Sequence, residues 1–317
     1  MTIFAPSVGS QVIVAYGLEV TPGVAVPATD YIRVEEMPTL RWDPKRQNLE
    51  TAGGSLIAGQ EMVELDGSVK GDVILPVRGD AGWKLLATLM VDAVTGSAAP
   101  YTHTLTPRAP KTFTLYIQRG GNCLSYAGCT PEKLVLMLNH TTPFKGTLSV
   151  TELGIPTPAA LLTPVFTVDQ VFTFSHLQPM LLLGNGATSQ KDVDDIEVTI
   201  TFGNVDRYGA GGAGLPTTIV PGIESVDWKF SRLFRDDVEQ ALFLTRMMAP
   251  GIIQAQLVNG TKQLTLKSGA AYYDMQSHKA AVKDAITEDY QCKTLPDASG
   301  NLIGLTLVNA TATAYSS

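Results

Sequence analysis

Two stretches of this chain, about half its length apart, share one order of local patterns: a strand, an Asp and an apolar run with helical spacing. When Asp80 is aligned with Asp237, Val69 falls on Val226 and the apolar positions of the two stretches stay in phase. In each stretch the apolar spacing changes from two, typical of a strand, to three or four, typical of a helix. This self-similarity predicts an internally duplicated fold.

Short segments on either side extend the duplication. A Gly-rich loop comes before the first strand of each copy, and further strands follow each helix. The matched segments are 52–54 with 210–212, 111–115 with 262–266, and the closing strands opened by Gly146 and Gly304. The closing strands alternate one residue out of phase, so their match is imperfect. We expect a first unit at residues 1–153, a Pro-rich linker at 154–165 and a second unit at 166–317.

The composition is that of a folded protein with a substantial core. Hydrophobic residues make up 44% of the 317 residues and charged residues 17%, which is ordinary for a globular chain. No apolar run approaches the ~20 residues of a membrane span, and the chain start lacks the basic residues of a signal peptide. Cys123, Cys129 and Cys292 have no CxxC spacing, so we expect reduced thiols. We therefore expect a chain that is made and folded in a cytoplasm, without a membrane partner.

The charge balance bears on nucleic-acid binding. The formal net charge is -7, and the sequence contains no basic run. Affinity for a phosphate backbone needs concentrated Lys and Arg. The sequence therefore argues against a protein that binds nucleic acid tightly.

Strand patterns dominate the chain, and Gly and Pro punctuate nearly every junction. Strands are predicted at residues 11–15, 31–35, 61–77, 101–105, 111–118, 133–138, 166–174, 195–202 and 222–231. Helices are predicted only at 82–91, 235–248 and 275–286, and an Asp before each of the first two can cap the helix. The predicted fold class is mainly β with few helices.

The longest predicted strand and two strands of the second copy each have an apolar face and a polar face. An antiparallel sheet with one wetted face explains this alternation without any function. A sharper hypothesis is that the polar faces line a wet, net-negative channel. The candidate channel-facing residues are Glu64, Asp66, Ser68, Lys70, Asp72, Asp195, Glu197, Asp227 and Lys229.

No motif for catalysis or cofactor binding has the context that it needs. Residues 209–214 fit GxGxxG, but the Pro-containing segment after them cannot start the required helix. Residues 192–195 resemble the start of a calcium loop, yet Glu197 stands where the sharp turn needs Gly. The four histidines are isolated, and no nucleophile elbow is present. We predict no catalytic residue, no metal and no cofactor, and hence no enzyme.

Several segments, taken in order, resemble the major tail tube proteins of long-tailed, siphovirus-type bacteriophages. The resemblance extends from about residue 34 to residue 248, and its motifs are structural rather than catalytic. It rests on Gly71-Asp-Val-Ile-Leu-Pro-Val-Arg-Gly-Asp80, on Tyr101-Thr-His-Thr-Leu-Thr-Pro107, on Tyr126-Ala-Gly-Cys129, on Phe172-Thr-Phe-Ser-His176 and on Asp206-Arg-Tyr-Gly209.

The resemblance implies a fold and an assembly. It implies two tandem β-sandwich or barrel domains, each with a flanking helix, whose inner hairpins join between subunits into a ring around a hole wide enough for duplex DNA. Rings would stack into a tube within the virion, through long loops that reach the neighbouring ring. The candidate stacking residues are Thr51, Gly53, Gly54, Gly59, Gly209, Gly211, Gly212 and Gly214. These loops are equally compatible with ordinary surface loops.

The resemblance also implies partners: other copies of the chain, the tape measure protein, the tail terminator and the distal tail proteins. Duplex DNA would pass through the lumen without specific binding, because basic clusters would create sites that slow its passage. Lys70 and Lys229 interrupt the acidic faces, and we expect them to pair with neighbouring acids.

The stoichiometry and two other protein classes stay open at this stage. A chain with two tube-like units can close a pseudo-sixfold ring as a trimer, which we favour, whereas a decorated single unit requires a hexamer. A carbohydrate-binding or adhesin-like β-sandwich would share the strands, but it would be expected to show an exposed aromatic cluster. A β-rich hydrolase would need an acid pair or nucleophile motif, which the sequence lacks.

Overall fold

Antiparallel strands make up most of the chain in the computed structural model. The described residues are 12–49, 61–79, 83–86, 90–107, 111–166, 169–182, 189–190, 193–207, 216–220, 224–233, 250–279 and 287–315. They contain 20 strands and a single short α-helix, α1 (Trp83–Leu86). No helix in these ranges combines the length and apolar composition of a membrane span.

The strands of the first half contain the alternating and β-branched segments that favour a pleated sheet. They are β1 (Val12–Leu18), β2 (Asp30–Ile32), β3 (Arg41–Leu49), β4 (Glu61–Pro76), β5 (Met90–Thr95), β6 (Tyr101–Pro107), β7 (Phe113–Arg119), β8 (Asn122–Asn139), β9 (Lys145–Glu152) and β10 (Thr157–Ala159).

The second half continues with ten more strands and a 3-10 turn at Phe174–His176. The strands are β11 (Met180–Leu182), β12 (Ser189–Gln190), β13 (Val193–Thr201), β14 (Val205–Arg207), β15 (Thr218–Val220), β16 (Ser225–Leu233), β17 (Gly251–Asn259), β18 (Lys262–Lys279), β19 (Thr287–Thr294) and β20 (Gly304–Asn309).

Eight strands form one sheet that both halves share, which we call the main sheet. Its order is β3-β4-β9-β8-β13-β16-β19-β18, and every pairing is antiparallel. The first four strands come from the first half of the chain and the last four from the second half. The pairing of β8 with β13 joins the two sets.

Two smaller sheets flank the main sheet, and two 18-residue strands connect them to it. The beginning of β8 pairs in the order β2-β1-β7-β8-β10. The beginning of β18 pairs in the order β12-β11-β17-β18-β20-β6-β5. The described strands of the single chain do not close into a barrel, so the sandwich form of the predicted fold class fits them better than the barrel form.

The two halves repeat the same pairings down to their irregularities. The pairing of β8 with β9 is interrupted between Pro131 and Lys133, and that of β18 with β19 between Tyr273 and Met275. Similar bulges interrupt both hairpins that precede these pairings, β7–β8 and β17–β18. A bulge re-aims its strand, and both long strands pass here from a flanking sheet into the main sheet.

One hydrophobic cluster joins the buried faces of all three sheets. Its largest fully buried side chains include Trp228, Phe113, Phe144 and Phe172. Burying a side chain of this kind contributes about 1.5–3 kcal/mol. The alternation predicted from the sequence is confirmed here, because Val73, Leu75, Val198 and Ile200 all face this core.

The structure corrects several predicted elements. The first predicted helix, 82–91, includes α1, but Met90 and Val91 already belong to β5. Residues 275–279 of the third predicted helix continue β18, so this prediction is wrong there. The predicted strand at 166–174 contains only a bridge at Val171 among its described residues. The second predicted helix, 235–248, lies outside the described residues.

Two matches within the predicted repeat are also wrong. The sequence matches residues 111–115 with residues 262–266, but the first segment runs into β7 whereas the second begins β18. The counterpart of β18 in the first half is β8, so the two segments are not equivalent. The counterpart of β9 is β19, because both pair with the strand that follows the Gly-rich loop. The strand opened by Gly304 corresponds instead to β10, since both lie beside the beginning of a long strand. This explains the phase error between the closing strands.

The predicted division into two domains at 154–165 stays a prediction. Within that segment, β10 pairs with the beginning of β8. The reduced thiols predicted for Cys123, Cys129 and Cys292 are confirmed, as all three are free and buried.

Candidate assembly site: the polar face and open edges of the main sheet

One surface of the main sheet carries polar side chains from several neighbouring strands, and we call it the polar face. Strand register brings Asp195 opposite both Asn139 and Ser231. One step along the sheet, Glu197 stands between Met137 and Lys229. Because side chains alternate along each strand, these positions share one side of the sheet while their neighbours face the core.

Two lysines of the polar face, Lys70 and Lys229, are held by carboxylates. Lys229 Nζ lies 2.9 Å from Glu197 Oε1, across neighbouring strands. Lys70 Nζ donates to Glu132 Oε1 at 3.0 Å and lies 3.4 Å from Asp206 Oδ2. Burial alone would lower the pKa of Lys70, but these acids outweigh it and raise the pKa. The predicted pairing of Lys70 and Lys229 with neighbouring acids is therefore observed.

The described candidate channel-facing residues share this polar face. Asp195 and Lys229 are exposed, whereas Ser68 is only 7% exposed. Partly exposed members of the set are Lys70, Asp72, Glu197 and Asp227. Glu64 and Asp66 belong to β4 by their backbone, and their side chains lie outside the described part of the chain. That the face lines a channel stays a prediction.

Sequence reasoning missed several charged residues of the same region. Glu132 is the extra residue in the bulge of the β8–β9 pairing. Asp274 is the extra residue in the bulge of the β18–β19 pairing. Asp274 Oδ2 lies 3.0 Å from Lys293 Nζ, and this hydrogen bond raises the pKa of Lys293. The signal was hidden because Val135 and Met137 occupy polar-face positions of β8 and break the expected alternation.

Both candidate stacking loops are tips of long hairpins. Leu49 pairs with Glu61 at the base of the first tip, and Arg207 pairs with Thr218 at the base of the second. All of the candidate stacking residues lie in the tips, outside the described residues: Thr51, Gly53, Gly54, Gly59, Gly209, Gly211, Gly212 and Gly214. The structure therefore describes the stems and leaves the role of the tips a prediction.

A depression opens on the polar face of the main sheet. Its volume is about 450 Å³, and it is lined by strands β8, β13, β16 and β19. Asp195, Glu197 and Lys229 contribute to its wall. Its lining residues do not form a nucleophile with an adjacent base, and no group of three metal-ligating side chains occurs among the described residues.

Within the part of the chain that the structure describes, both outer strands of the main sheet have an edge without a strand partner. Among the described pairings, β3 pairs only with β4, and β18 from Met275 onward pairs only with β19. An open edge presents a row of backbone donors and acceptors that can pair with another chain. The two open edges lie at opposite ends of the eight-strand order.

Comparison with known protein families identifies the family of the chain. A family model described as phage tail tube protein matches residues 9–293. The chain belongs to the phage tail tube protein family. As a tail tube protein it is a structural component of the virion tail, and it assembles with itself and with other tail proteins into a tube. No curated protein matches the chain.

Proposed function

We propose that this tail tube protein is the major tube subunit, which closes into rings through the edges of its main sheet. The observation that carries the proposal is the eight-stranded sheet with two similar four-stranded halves and an open edge at each end. A second copy that pairs with an edge would satisfy its backbone groups and remove an aggregation hazard. Repetition of this contact makes a head-to-tail ring when the rotation closes.

The ring contains three copies in this proposal, and six is the alternative. Three copies of the main sheet supply about 24 strands, which at ~4.8 Å spacing and ~40° tilt form a cylinder roughly 48 Å across. Six copies would give roughly twice that diameter by the same geometry. The trimer leaves a hole wide enough for duplex DNA. Each of its six four-stranded halves then acts as one unit of a pseudo-sixfold ring.

The polar face lines the bore of the ring in this proposal. Its acids repel phosphates, and its lysines at 70 and 229 are held by carboxylates 2.9–3.4 Å away. DNA would therefore meet few strong binding sites during ejection, since binding wells require accessible cationic clusters. The apolar opposite face stays buried against the flanking sheets.

Ring stacking is assigned to the two Gly-rich loops predicted from the sequence, residues 50–60 and 203–222. In the second loop the β14–β15 stem leaves residues 208–217 as the tip. Each tip extends from a stem of paired strands, β3–β4 or β14–β15, and can cross the boundary between rings. The tape measure protein inside the tube, and the tail terminator and distal tail proteins at its ends, are the further partners that we propose.

Negative-stain microscopy of the purified protein at high concentration tests the proposed function. We expect rings or polymerised tubes with a central hole. A monodisperse monomer under all assembly conditions would contradict the proposal.

A further inference from the structure

The internal repeat contains one example of the contact that a ring needs. In the main sheet, β8 closes the first four-stranded half and β13 opens the second, and the two pair from Lys133 with Thr201 to Asn139 with Asp195. The equivalent closing strand of the second half is β18, and the equivalent opening segment of the first half is β3 with the residues just before it. The chain therefore already shows how a closing strand meets an opening strand.

The strand registers give the residue-by-residue correspondence. The shared bulges match Lys133 with Met275, and the same relation carries Val135 to Ser277. On the opening side, Arg41 pairs with Lys70 just as Thr199 pairs with Asp227. Lys70 and Asp227 are themselves matched by the alignment of the two copies, so Thr199 corresponds to Arg41.

The β14–β15 pairing, which follows β13 in the chain, supports this correspondence independently. Val205 pairs with Val220, and under the same relation these positions correspond to Gln47 and Val63, which pair with each other in the first hairpin. The small β14–β15 sheet is thus the outer part of the same long hairpin. One alignment accounts for both stems.

We infer that β18 of one copy pairs antiparallel with β3 of the next copy in the register of the internal β8–β13 contact. This inference rests on the proposed ring and specifies how its subunits join. The predicted pairs are Met275 with Asp43, Gln276 with Trp42, Ser277 with Arg41, His278 with Leu40, and Lys279 with Thr39. Each ring then contains two equivalent kinds of junction, one within the chain and one between chains.

The residues just before β3 already have the extended, paired backbone that such a contact requires. The Thr39 backbone N–H donates to the Asp72 carbonyl at 3.1 Å, which continues the β3–β4 pairing direction beyond Arg41. Leu40 is 8% exposed and belongs to the core, whereas Arg41 is exposed. The register therefore keeps Arg41 on the polar side and Leu40 on the core side of a continuous sheet.

The internal contact also identifies the best positions for a cross-link. The Phe202 backbone N–H donates to the Glu132 carbonyl at 2.9 Å, so this pair is hydrogen-bonded and its neighbour, Lys133 with Thr201, is not. Opposed residues of non-hydrogen-bonded pairs are closest, with Cα atoms about 4.5 Å apart. By correspondence, Ser277 with Arg41 and Lys279 with Thr39 are non-hydrogen-bonded pairs, suitable for disulfides.

Disulfide trapping in assembled rings tests the register. We expect Ser277→Cys/Arg41→Cys and, independently, Lys279→Cys/Thr39→Cys to give covalent multimers up to the ring size on non-reducing gels after mild oxidation. Each single variant should remain monomeric on the gel. The natural thiols of Cys123, Cys129 and Cys292 are buried, and burial raises the pKa of all three, so they should not contribute.

Two slip variants make the test specific. Ser277→Cys/Thr39→Cys and Ser277→Cys/Asp43→Cys report registers shifted by two residues in either direction, where diagonal Cα atoms lie about 7–8 Å apart. Rings whose cross-links form preferentially in a slip variant, or in neither predicted pair, overturn the inferred register while leaving the proposed ring intact. Absence of rings in the unmodified protein overturns the proposed function itself.

Discussion

At the scale of one residue, Glu152 is an acid in the protein interior, which the pattern of the sequence does not predict. Its side chain is fully buried at the end of β9, where the Ala127 backbone N–H approaches the carboxyl group without reaching the geometry of a full hydrogen bond. Glu19, nearby, accepts hydrogen bonds from the backbone N–H groups of Gly23 and Gly128, each at 2.8 Å, and from the Thr114 hydroxyl at 2.7 Å. Two carboxyls therefore share one buried region, and only one of them is well hydrogen-bonded.

The pKa of Glu152 is raised from 4.5 to about 9, mainly by burial and further by the charge of Glu19, although the Ala127 backbone N–H lowers it. The folded state therefore keeps a proton that the unfolded chain loses near pH 4.5. The corresponding stability is fully present below that pH and is lost as the pH rises through about 9.

The pH dependence of unfolding tests this assignment. We expect the denaturant midpoint of the unassembled subunit to fall between about pH 5 and pH 9, and Glu152→Gln to remove most of that fall because the amide does not ionise. The matched control, Glu36→Gln at an exposed position, should keep the wild-type slope. An unchanged slope in Glu152→Gln would show that this carboxyl is not the source.

The sequence predicts core residues better than it predicts a residue such as Glu152. Strict alternation identified Val73 and Trp228 as buried, and both are 0% exposed. Glu152 follows the same alternation but is an acid, so composition places it outside. Its neighbours Glu19 and Ala127 lie far away in the chain, and a local pattern contains no information about them.

At the scale of elements, Trp228 connects the main sheet to a flanking sheet. Its indole N–H donates to the Ser268 hydroxyl at 2.9 Å, and both residues are fully buried. Trp228 lies in β16, whereas Ser268 lies in the first part of β18. A single hydrogen bond therefore spans the two layers within the core.

Trp228→Phe should destabilise the subunit by about 1–3 kcal/mol, because it leaves a buried hydroxyl without its donor and removes packed volume. Adding Ser268→Ala should recover part of that loss, which gives a coupling of about 0.5–1.5 kcal/mol in a double-mutant cycle. Chemical denaturation of the four proteins measures it. Strict additivity would show that the hydrogen bond contributes nothing.

The hairpin tips give a second prediction at this scale. Replacing residues 50–60 with a two-residue Asn-Gly turn should leave ring formation intact and prevent stacking into tubes, since the β3–β4 stem pairs up to Leu49 and Glu61. Replacing Gly120 and Gly121, the two-residue turn of β7–β8, with Asn-Gly is the control and should still give tubes. Microscopy distinguishes the two variants, and tubes from the shortened hairpin would disprove the stacking role.

The limits of sequence prediction are clearest for elements. The sequence shows the repeat, but it misaligns the downstream half because the β17–β18 hairpin is longer than β7–β8 and because β5 and β6 lie between the compared segments of the first half. Residues 275–279 have helix-compatible spacing, yet pairing with β19 holds them in a strand. Tertiary pairing overrides local propensity here.

At the scale of the whole molecule, the charge of the polar face should control DNA passage and not assembly. Glu197→Lys with Asp227→Lys should slow or reduce DNA ejection from assembled virions, because freed lysines would bind phosphates. The Glu197–Lys229 pair is largely exposed, at 27% and 54%, so its loss should change stability by less than about 1 kcal/mol. The matched control is Glu197→Gln with Asp227→Asn, which removes charge without adding cations and should have a smaller effect. Equal ejection by all three proteins would contradict a bore lined by this face.

The fold class and the family were within reach of the sequence, whereas the joining of the halves was not. The polar and apolar faces follow from alternation within single strands such as β13 and β16. That β8 pairs with β13, and so fuses two four-stranded halves into one sheet, is a long-range contact without a local signal. This contact is what suggests a ring built from identical junctions.

The rotational symmetry of the assembled tube tests that account most directly. Cryo-electron microscopy of tubes should show threefold rings of three chains, with about 24 strands in one continuous barrel and near-sixfold pseudo-symmetry between the two halves of each chain. True sixfold rings of six chains, or a barrel in which β18 and β3 do not meet, would contradict it.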